Sequence, residues 1–222
     1  MSASAAFGGS KIADVSTDGT GPVKVTSLEP EDASRIEDAV DAVLASVPAR
    51  VWDGRSLPVP VNEIAREVYG LRVCVVSHEQ MKEVLAGEDE GGTISGLLLT
   101  GSGEIWINQE EFDDPRWGAQ RGRFTTGHEL GHFVIHRQRG PMIFCRSSEA
   151  GESLETAPTP RIRPEVEANT FSAALLMPSA LIRKELSVVG RDEEDSLEVL
   201  KQRFNCSRKA IVRRVKALQS IS

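Results

Sequence analysis

The sequence predicts an α+β fold in which a small mixed sheet of three strands packs against helices. Three observations lead to this prediction. Apolar residues recur at helical spacing in several segments, two short apolar runs flank a Gly-Ser-Gly turn, and a third apolar run directly follows a helical segment. The 222 residues, 40% of them apolar and 27% charged, are enough to bury a full core, so we expect one main domain.

Composition divides the chain into three predicted parts. Residues 1–28 are rich in Ser, Ala, Gly and Thr without periodicity, which predicts a disordered tail. Residues 29–192 contain the elements expected for the main domain. Residues 193–222 predict a pair of short helices that resembles a helix-turn-helix segment.

Bulk properties predict a cytoplasmic protein that does not contact membranes. The N-terminus lacks the apolar stretch of a secretory signal, and no apolar run approaches the roughly 20 residues that a membrane span needs. The three cysteines are odd in number and far apart, which argues against a disulfide framework. A net charge of −7 argues against broad attraction to nucleic acid.

The first half of the main domain predicts two helices, a strand and a hairpin. The first helix lies in EPEDASRIEDAVDAVLASVP and ends at Pro48, and its apolar residues recur at helical spacing: Ile36, Val40, Leu44 and Val47. The second is NEIAREVYG, with Asn62 as N-cap and Gly70 just past its end. The segment LRVCVVS predicts a strand, and SGLLLTGSGEIWINQE predicts a β-hairpin.

The second half predicts helices separated by one long loop. Residues 121–136 have a helical pattern, and a loop of roughly 25 residues follows. Pro164 is expected to open the next helix, PEVEANTFSAALLMP, because proline is favoured in the first turn. The C-terminal pair is DSLEVLKQRF and SRKAIVRRVKALQ, with Ser207 as the N-cap of the second helix.

The segment RFTTGHELGHFVIH contains an HExxH pattern, formed by His128, Glu129 and His132. Residues four apart on a helix lie on one face, so both imidazoles can bind one Zn²⁺ ion. Glu129 lies about 100° round the helix and can reach a water molecule beside the ion without binding the ion itself. The alternative is that both histidines are buried helix residues held by hydrogen bonds.

A third protein ligand is needed, and a carboxylate from a second helix is the best candidate. His136 lies about 12 Å along the helix from His128, too far to share the ion, so we expect it to support the site from behind. Glu165 and Glu167 are the available carboxylates. Glu165 lies on one polar line with Asn169 and Ser172, which favours Glu165 as ligand and Asn169 as the residue that holds a histidine. A solvated Glu165 in the first helical turn is the alternative.

Taken together, RFTTGHELGHFVIH and EVEANTFSAALLMP resemble the ImmA/IrrE family of bacterial and phage metallopeptidases. The segments VNEIAREVYGLRVCVV, GLLLTGSGEIWIN and LKQRFNCSRKAIVRRVKAL are also similar to that family. The resemblance covers roughly residues 58–219. It implies a zincin-like core, in which the HExxH helix and a second, Glu-bearing helix form the metal site.

The resemblance also implies roles for individual residues. In that family the two histidines and the glutamate of an E-x-x-x-N-x-F motif bind zinc, and the HExxH glutamate is the catalytic base. Here these residues are His128, His132, Glu165 and Glu129. The implied activity is a zinc endopeptidase that cleaves a helix-turn-helix repressor or an antitoxin-like regulator, relieving repression. The alternative is a non-catalytic regulator that binds a repressor or DNA through the same fold.

Substrate-binding residues are predicted on the strand EIWIN. An extended substrate could add to this strand as a further strand, through Ile105, Trp106, Ile107 and Asn108. An ordinary core strand is an equal alternative. The candidate donors to the oxyanion are Tyr69, His78 and His136, and nothing in the sequence chooses among them.

Two further features have a favoured interpretation and an alternative. Cys145 could bind zinc and silence the site, although a partly buried loop cysteine is favoured. The segment 201–216 is rich in basic residues: Lys201, Arg203, Arg208, Lys209, Arg213, Arg214 and Lys216. Its favoured interpretation is a solvated basic face that packs on the domain through Val212, Val215 and Leu218. DNA contact is the less favoured alternative.

Overall fold

The computed structural model describes residues 28–85, 94–136, 143–147, 159–188 and 193–221. The predicted N-terminal tail lies outside these ranges except for Leu28. The helices within them are α1 Pro30–Ser46, α2 Val61–Tyr69, α3 His78–Leu85, α4 Gln109–Phe112, α5 Gly118–His136, α6 Thr159–Leu176, α7 Ser179–Val188, α8 Glu193–Phe204 and α9 Arg208–Ile221. The strands are β1 Arg72–Val76, β2 Ile94–Leu99, β3 Glu104–Asn108 and β4 Ile143–Ser147.

The strands form one mixed sheet in the order β1-β3-β2-β4. Strands β1 and β3 are parallel, whereas β2 pairs antiparallel with β3 and with β4. The predicted hairpin is confirmed as β2 and β3, and the α+β class is confirmed. Strand β4 falls within the segment predicted as a long loop and adds a fourth strand. It pairs with the second edge of β2, whose residues 94–98 are all buried and need backbone partners.

Of the two equal interpretations of EIWIN, the core strand is confirmed and the edge strand is wrong. Ile105 pairs with Val73 of β1 on one side and with Leu98 of β2 on the other, so both edges of β3 are occupied. A substrate strand therefore cannot add there. Among the described strands, β1 and β4 form the edges of the sheet.

Two predicted helix ends are confirmed and two are wrong. Gly70 ends α2 with φ 68°, and the Ser207 Oγ accepts the Ala210 N–H at 3.2 Å in the first turn of α9. Asn62 is not the N-cap of α2, because the helix begins at the buried Val61 and Pro60 takes the cap position. Pro164 lies inside α6, which begins at Thr159.

One apolar cluster connects helices α1, α2 and α5 to α9 with the sheet. It includes Ile36 of α1, Ile105 of β3, Leu130 of α5 and Phe171 of α6. The C-terminal pair contributes buried residues to the same cluster: Leu200, Phe204, Cys206, Ile211 and Leu218. The proposed division at residue 192 remains a prediction, although the two sides share this core.

Three members of the basic segment bind acidic residues of the protein itself. Lys201 pairs with Glu198, and Arg203 pairs with Glu185. Arg214 is 3% exposed and forms a buried ion pair with Glu37 of α1. Arg214 is therefore not available to DNA. Within the described ranges, no helix is both long enough and apolar enough to span a membrane.

Candidate metal centre

The site lies where α5 and α6 pack closely, and two glycines allow this approach. A Cβ at Gly127 would stand 2.6 Å from the Ser172 Oγ, and one at Gly131 would stand 3.2 Å from the Ala168 Cα. Both glycines lie on α5, one turn apart, and their contacts lie on α6. Larger residues would push the helices apart, so the glycines set the distance across which side chains of the two helices meet.

The ligand atoms of His128, His132 and Glu165 converge at this contact. The two Nε2 atoms are 3.1 Å apart, and that of His128 lies 3.1 Å from the Glu165 Oε2 whereas that of His132 lies 3.1 Å from the Glu165 Oε1. Ligands about 2.0–2.1 Å from a tetrahedral Zn²⁺ ion stand roughly 3.3–3.4 Å from one another, so the separations within this triangle of residues are close to those of such a site. Both histidines are fully buried, and the Glu165 side chain is 25% exposed.

The ring of His132 is held by a chain of contacts behind it. Its Nδ1 lies 3.1 Å from the Nδ1 of His136, and the His136 Nε2 lies 2.8 Å from a Glu167 oxygen. An ionised Glu167 only accepts, so His136 donates from Nε2 and, when neutral, accepts at Nδ1. His132 then donates from Nδ1, which leaves the lone pair of its Nε2 directed at Glu165.

The ring of His128 is held by Asn169. The Asn169 Oδ1 lies 3.1 Å from the His128 Nδ1, and with that oxygen as acceptor the Nδ1 carries the proton. The lone pair of the His128 Nε2 is then directed at the same point as that of His132. Asn169 lies one turn beyond Glu165 on α6, and Ser172 on the same line donates to the Phe124 carbonyl at 2.8 Å. The polar line predicted on α6 therefore faces α5.

The donor set fits a divalent metal ion. Two imidazole lone pairs and one carboxylate within 4.8 Å of one another repel unless a cation or shared protons lie between them. Protons on the two Nε2 atoms would meet this need without an ion: burial raises the pKa of Glu165, but hydrogen bonds from Nε2-protonated His128 and His132 outweigh burial, so the pKa of Glu165 lies below its usual range. Two nitrogens and one oxygen are a common ligand set for Zn²⁺ that leaves one position open.

Glu129 is fully buried and lies on α5 beside the sheet. A Cβ at Gly96 of β2 would stand 3.0 Å from the Glu129 Oε1 and 2.3 Å from the Thr125 Cγ2. Because Gly96 has no side chain, α5 can lie directly against β2. The carboxylate is adjacent in sequence to His128 and turned about 100° from it round the helix, so it does not belong to the ligand triangle.

The four residues predicted to bind substrate lie in strand β3 of the sheet. Ile105 and Ile107 are buried in the core, and the Asn108 amide donates to the Ile94 carbonyl at 2.7 Å. The Trp106 Nε1 donates to Glu104 at 3.2 Å. These four residues support the sheet.

The candidate oxyanion donors are placed by other contacts. Tyr69 packs edge-on against Phe133, 5.8 Å between ring centroids, and Phe133 lies about 100° round α5 from His132. His78 contacts the Asn108 amide at 3.3 Å, whereas His136 supports His132. The side chain of Cys145 lies outside the part of the chain whose side chains are described.

Sequence reasoning missed two kinds of residue that build the site. Glu167 was weighed only as a rival ligand, yet it supports His132 through His136. The glycines were not considered as packing residues. The sequence does contain a pattern that indicates this role. Gly127 and Gly131 each directly precede a histidine of the HExxH pattern and lie one turn apart on a helix that is expected to pack against another.

Two histidines from one helix and a carboxylate from its neighbour, beside a mixed sheet, form a candidate metal site in a zincin-like fold. A family model described as the IrrE N-terminal-like domain, a peptidase family, matches residues 66–216. The chain therefore belongs to this peptidase family.

One solved structure supports the fold, a Mycobacterium tuberculosis transcriptional regulator with a TM-score of 0.50 and 14% sequence identity. The match covers 86% of this chain and 52% of that one, so this chain spans about half the length of that regulator. Among curated proteins, no match was found.

Proposed function

We propose that the protein is a zinc-dependent endopeptidase that cleaves a regulatory protein, such as a helix-turn-helix repressor or an antitoxin-like regulator. The observation that carries this proposal is the convergence of His128, His132 and Glu165, with Glu129 on the same helix as the two histidines. Membership of a peptidase family supports the reaction class. The Glu165 side chain is 25% exposed, which supports access to the site from solvent.

The residues of the site have complementary roles in peptide hydrolysis. When bound, Zn²⁺ lowers the pKa of a water molecule and polarises the carbonyl oxygen of the substrate. Glu129 takes a proton from the attacking water and passes it to the leaving amine. Asn169 and His136 fix the two imidazole rings so that their Nε2 lone pairs stay directed at the ligand position.

A regulatory substrate is supported by two indirect observations. The sequence resembles a family whose members act on repressors or antitoxin-like regulators, often encoded nearby. The solved structure of similar fold is a transcriptional regulator. The alternative function, a non-catalytic regulator with the same fold, is disfavoured because a protein without catalysis has no need to keep all four of His128, Glu129, His132 and Glu165.

The first test is the metal content of the purified protein. Mass spectrometry should find about one zinc ion per wild-type chain and a clear loss in Glu165→Ala. Glu198→Ala is the matched control, because Glu198 is an exposed helical glutamate of α8 that pairs with Lys201. Equal zinc in wild type and Glu165→Ala would contradict the proposed ligand set.

The second test separates catalysis from binding. Wild type and Glu129→Gln are incubated with candidate regulators encoded nearby, and fragments are identified by mass spectrometry. Glu129→Gln should retain zinc and cleave about 10²–10⁴-fold more slowly. If the variant still relieves repression as well as wild type in cells, proteolysis is not the function.

A further inference from the structure

A continuous chain of polar contacts links the metal site to helix α1. It begins at His132, passes through His136 to Glu167, continues to Arg163 and ends at Asp32 on α1. These side chains belong to three helices, α5, α6 and α1. The sequence offered no sign of this chain, since Asp32 is about 100 residues from the histidines.

Each contact in the outer half of the chain has the geometry of a charge-assisted hydrogen bond. The Glu167 Oε2 lies 2.8 Å from the His136 Nε2, and its Oε1 lies 3.0 Å from the Arg163 Nε. The Arg163 Nη2 lies 2.7 Å from the Asp32 Oδ2. Glu167 therefore uses one oxygen toward the metal site and the other toward the guanidinium, so the position of its carboxylate is fixed from both sides.

The inner members of the chain are buried and the outer members are partly exposed. His132 is fully buried and the His136 side chain is 3% exposed. Glu167 is 15%, Arg163 59% and Asp32 20% exposed. Glu167 and Asp32 line a surface groove of about 220 Å³ between α1, α5 and α6. The outer residues can therefore be changed without opening the apolar core, which makes the chain accessible to experiment.

A carboxylate behind a metal-binding histidine fixes the orientation of the ring and raises its basicity. His128 has an uncharged partner, Asn169, whereas His132 is linked through His136 to the charged Glu167. The two histidines therefore differ in the support they receive. Arg163 of α6 contacts the other oxygen of the Glu167 carboxylate and is itself paired with Asp32 of α1.

We propose that Glu167 is a positioning residue that acts through His136 on His132, and that Arg163 and Asp32 extend this support to α1. The inference rests on the proposed metal site. The chain makes metal affinity depend on where α1 lies, because Asp32 is its only member on that helix. Loss of the Asp32–Arg163 contact then weakens metal binding even though neither residue touches a ligand.

The test measures zinc dissociation constants by competition with a chromophoric chelator. Glu167→Gln should weaken zinc binding roughly five- to tenfold, at or below the low end for a partner bonded directly to a ligand, and Asp32→Asn roughly two- to threefold because it lies further from the ligand. Glu67→Gln is the matched control. Glu67 of α2 also pairs with two arginines, Arg50 and Arg66, but does not belong to the chain of contacts that leads to His132. Glu67→Gln should therefore leave the zinc dissociation constant unchanged.

Two further readouts distinguish positioning from a general loss of structure. The visible spectrum of the Co²⁺-substituted protein should shift in Glu167→Gln and not in Glu67→Gln. In a His136→Gln background, Glu167→Gln should weaken zinc binding no further, because the path to His132 is already broken. Far-UV circular dichroism checks that each variant is folded. If a variant at a buried position does not fold, Asp32→Asn, which lies nearer the surface, takes its place in the test.

The outcomes separate this inference from the proposed function. A zinc constant for Glu167→Gln within twofold of wild type, or effects of Glu167→Gln and His136→Gln that simply add, would overturn the inference and leave the peptidase proposal intact. Weakened zinc binding in Glu167→Gln, with no regulator cleaved by wild type, would support the inference and count against the peptidase. A wild type that binds no zinc would overturn both.

Discussion

The Asn169 Oδ1 lies 3.1 Å from the Nδ1 of His128 and reaches that ring from the same face of α6 as Glu165. One turn of α6 thus carries a proposed ligand, Glu165, and the group that holds another proposed ligand, His128. We expect Asn169→Ala to weaken zinc binding about tenfold, because the His128 ring loses its orienting partner. Chelator competition measures the change.

The control for this prediction is Thr170→Ala. The Thr170 hydroxyl bonds the Val166 carbonyl within α6 at 2.8 Å, so its loss removes a hydrogen bond from the same helix without touching a histidine. Equal zinc affinities for the two variants would show that Asn169 does not orient His128.

Gly96 should be intolerant of any side chain. A Cβ there would stand 2.3 Å from the Thr125 Cγ2 and 3.0 Å from the Glu129 Oε1, so α5 must move away from β2. We expect Gly96→Ala to lower the free energy of unfolding by about 1–3 kcal/mol, measured by urea denaturation. Cleavage should fall further than stability does, because Glu129 moves with α5.

Gly101 is the matched control, since it lies in the turn of the same hairpin and a Cβ there would meet nothing within 4 Å. Gly101→Ala should change the free energy of unfolding by less than about 0.5 kcal/mol. Similar losses in both variants would mean that β2 itself, and not its contact with α5, is sensitive to substitution.

Arg214 should be far more important for stability than its neighbour in sequence. Its guanidinium donates to the Met177 carbonyl at 3.0 Å and to both oxygens of Glu37, and it is 3% exposed. Removing it leaves a carboxylate and a carbonyl without their donor. We expect Arg214→Ala to lower the free energy of unfolding by about 3–5 kcal/mol.

The comparison variant is Arg213→Ala, because Arg213 is exposed on the same turn of α9. It should change the free energy of unfolding by less than about 0.5 kcal/mol. If thermal or urea unfolding shows that both variants lose the same free energy of unfolding, the basic segment stabilises the protein through its overall charge. The buried ion pair would then contribute no more than an exposed arginine does.

Cys206 predicts a loss of stability at alkaline pH. Burial raises the pKa of its thiol from 9.0 to about 11, although the charge of Arg123 opposes this. Because the folded pKa is raised, the contribution is fully present below pH 9 and is lost as pH rises through about 11. The stability advantage of wild type over Cys206→Ala should shrink by about 1–3 kcal/mol over this window.

Urea denaturation of wild type and Cys206→Ala at pH 8, 9, 10 and 11 measures this difference. Titrating groups that do not interact with Cys206 contribute equally to both proteins, so Cys206→Ala serves as the reference for wild type. A difference that stays constant with pH would show that the thiol is not protected from ionisation in the folded protein.

The centre of the site was predictable from sequence because it depends on local spacing. A helix puts residues four apart on one face, so His128 and His132 had to lie together wherever α5 packed. The same periodicity identified the line of Glu165, Asn169 and Ser172, and the structure turns that line toward α5.

Features that depend on distant partners were not predictable. The sequence EIWIN is compatible with an edge or a central strand, and only the arrival of β1 on one side and β2 on the other makes β3 central. Strand β4 lies in a segment rich in polar residues and glycine, where five residues offer too little pattern to separate strand from loop. The Asp32–Arg163 contact joins helices whose relative placement no local pattern encodes.

The glycines at positions 127 and 131 have a consequence for how the segment GHELGH can be transplanted or altered. Within these six residues, the two histidines would bind the metal ion and the two glycines let the neighbouring helix approach. The segment can therefore form the site only where the facing helix has small residues such as Ala168 and Ser172. On a helix that faces bulkier neighbours, the same six residues would hold the histidines too far from any third ligand.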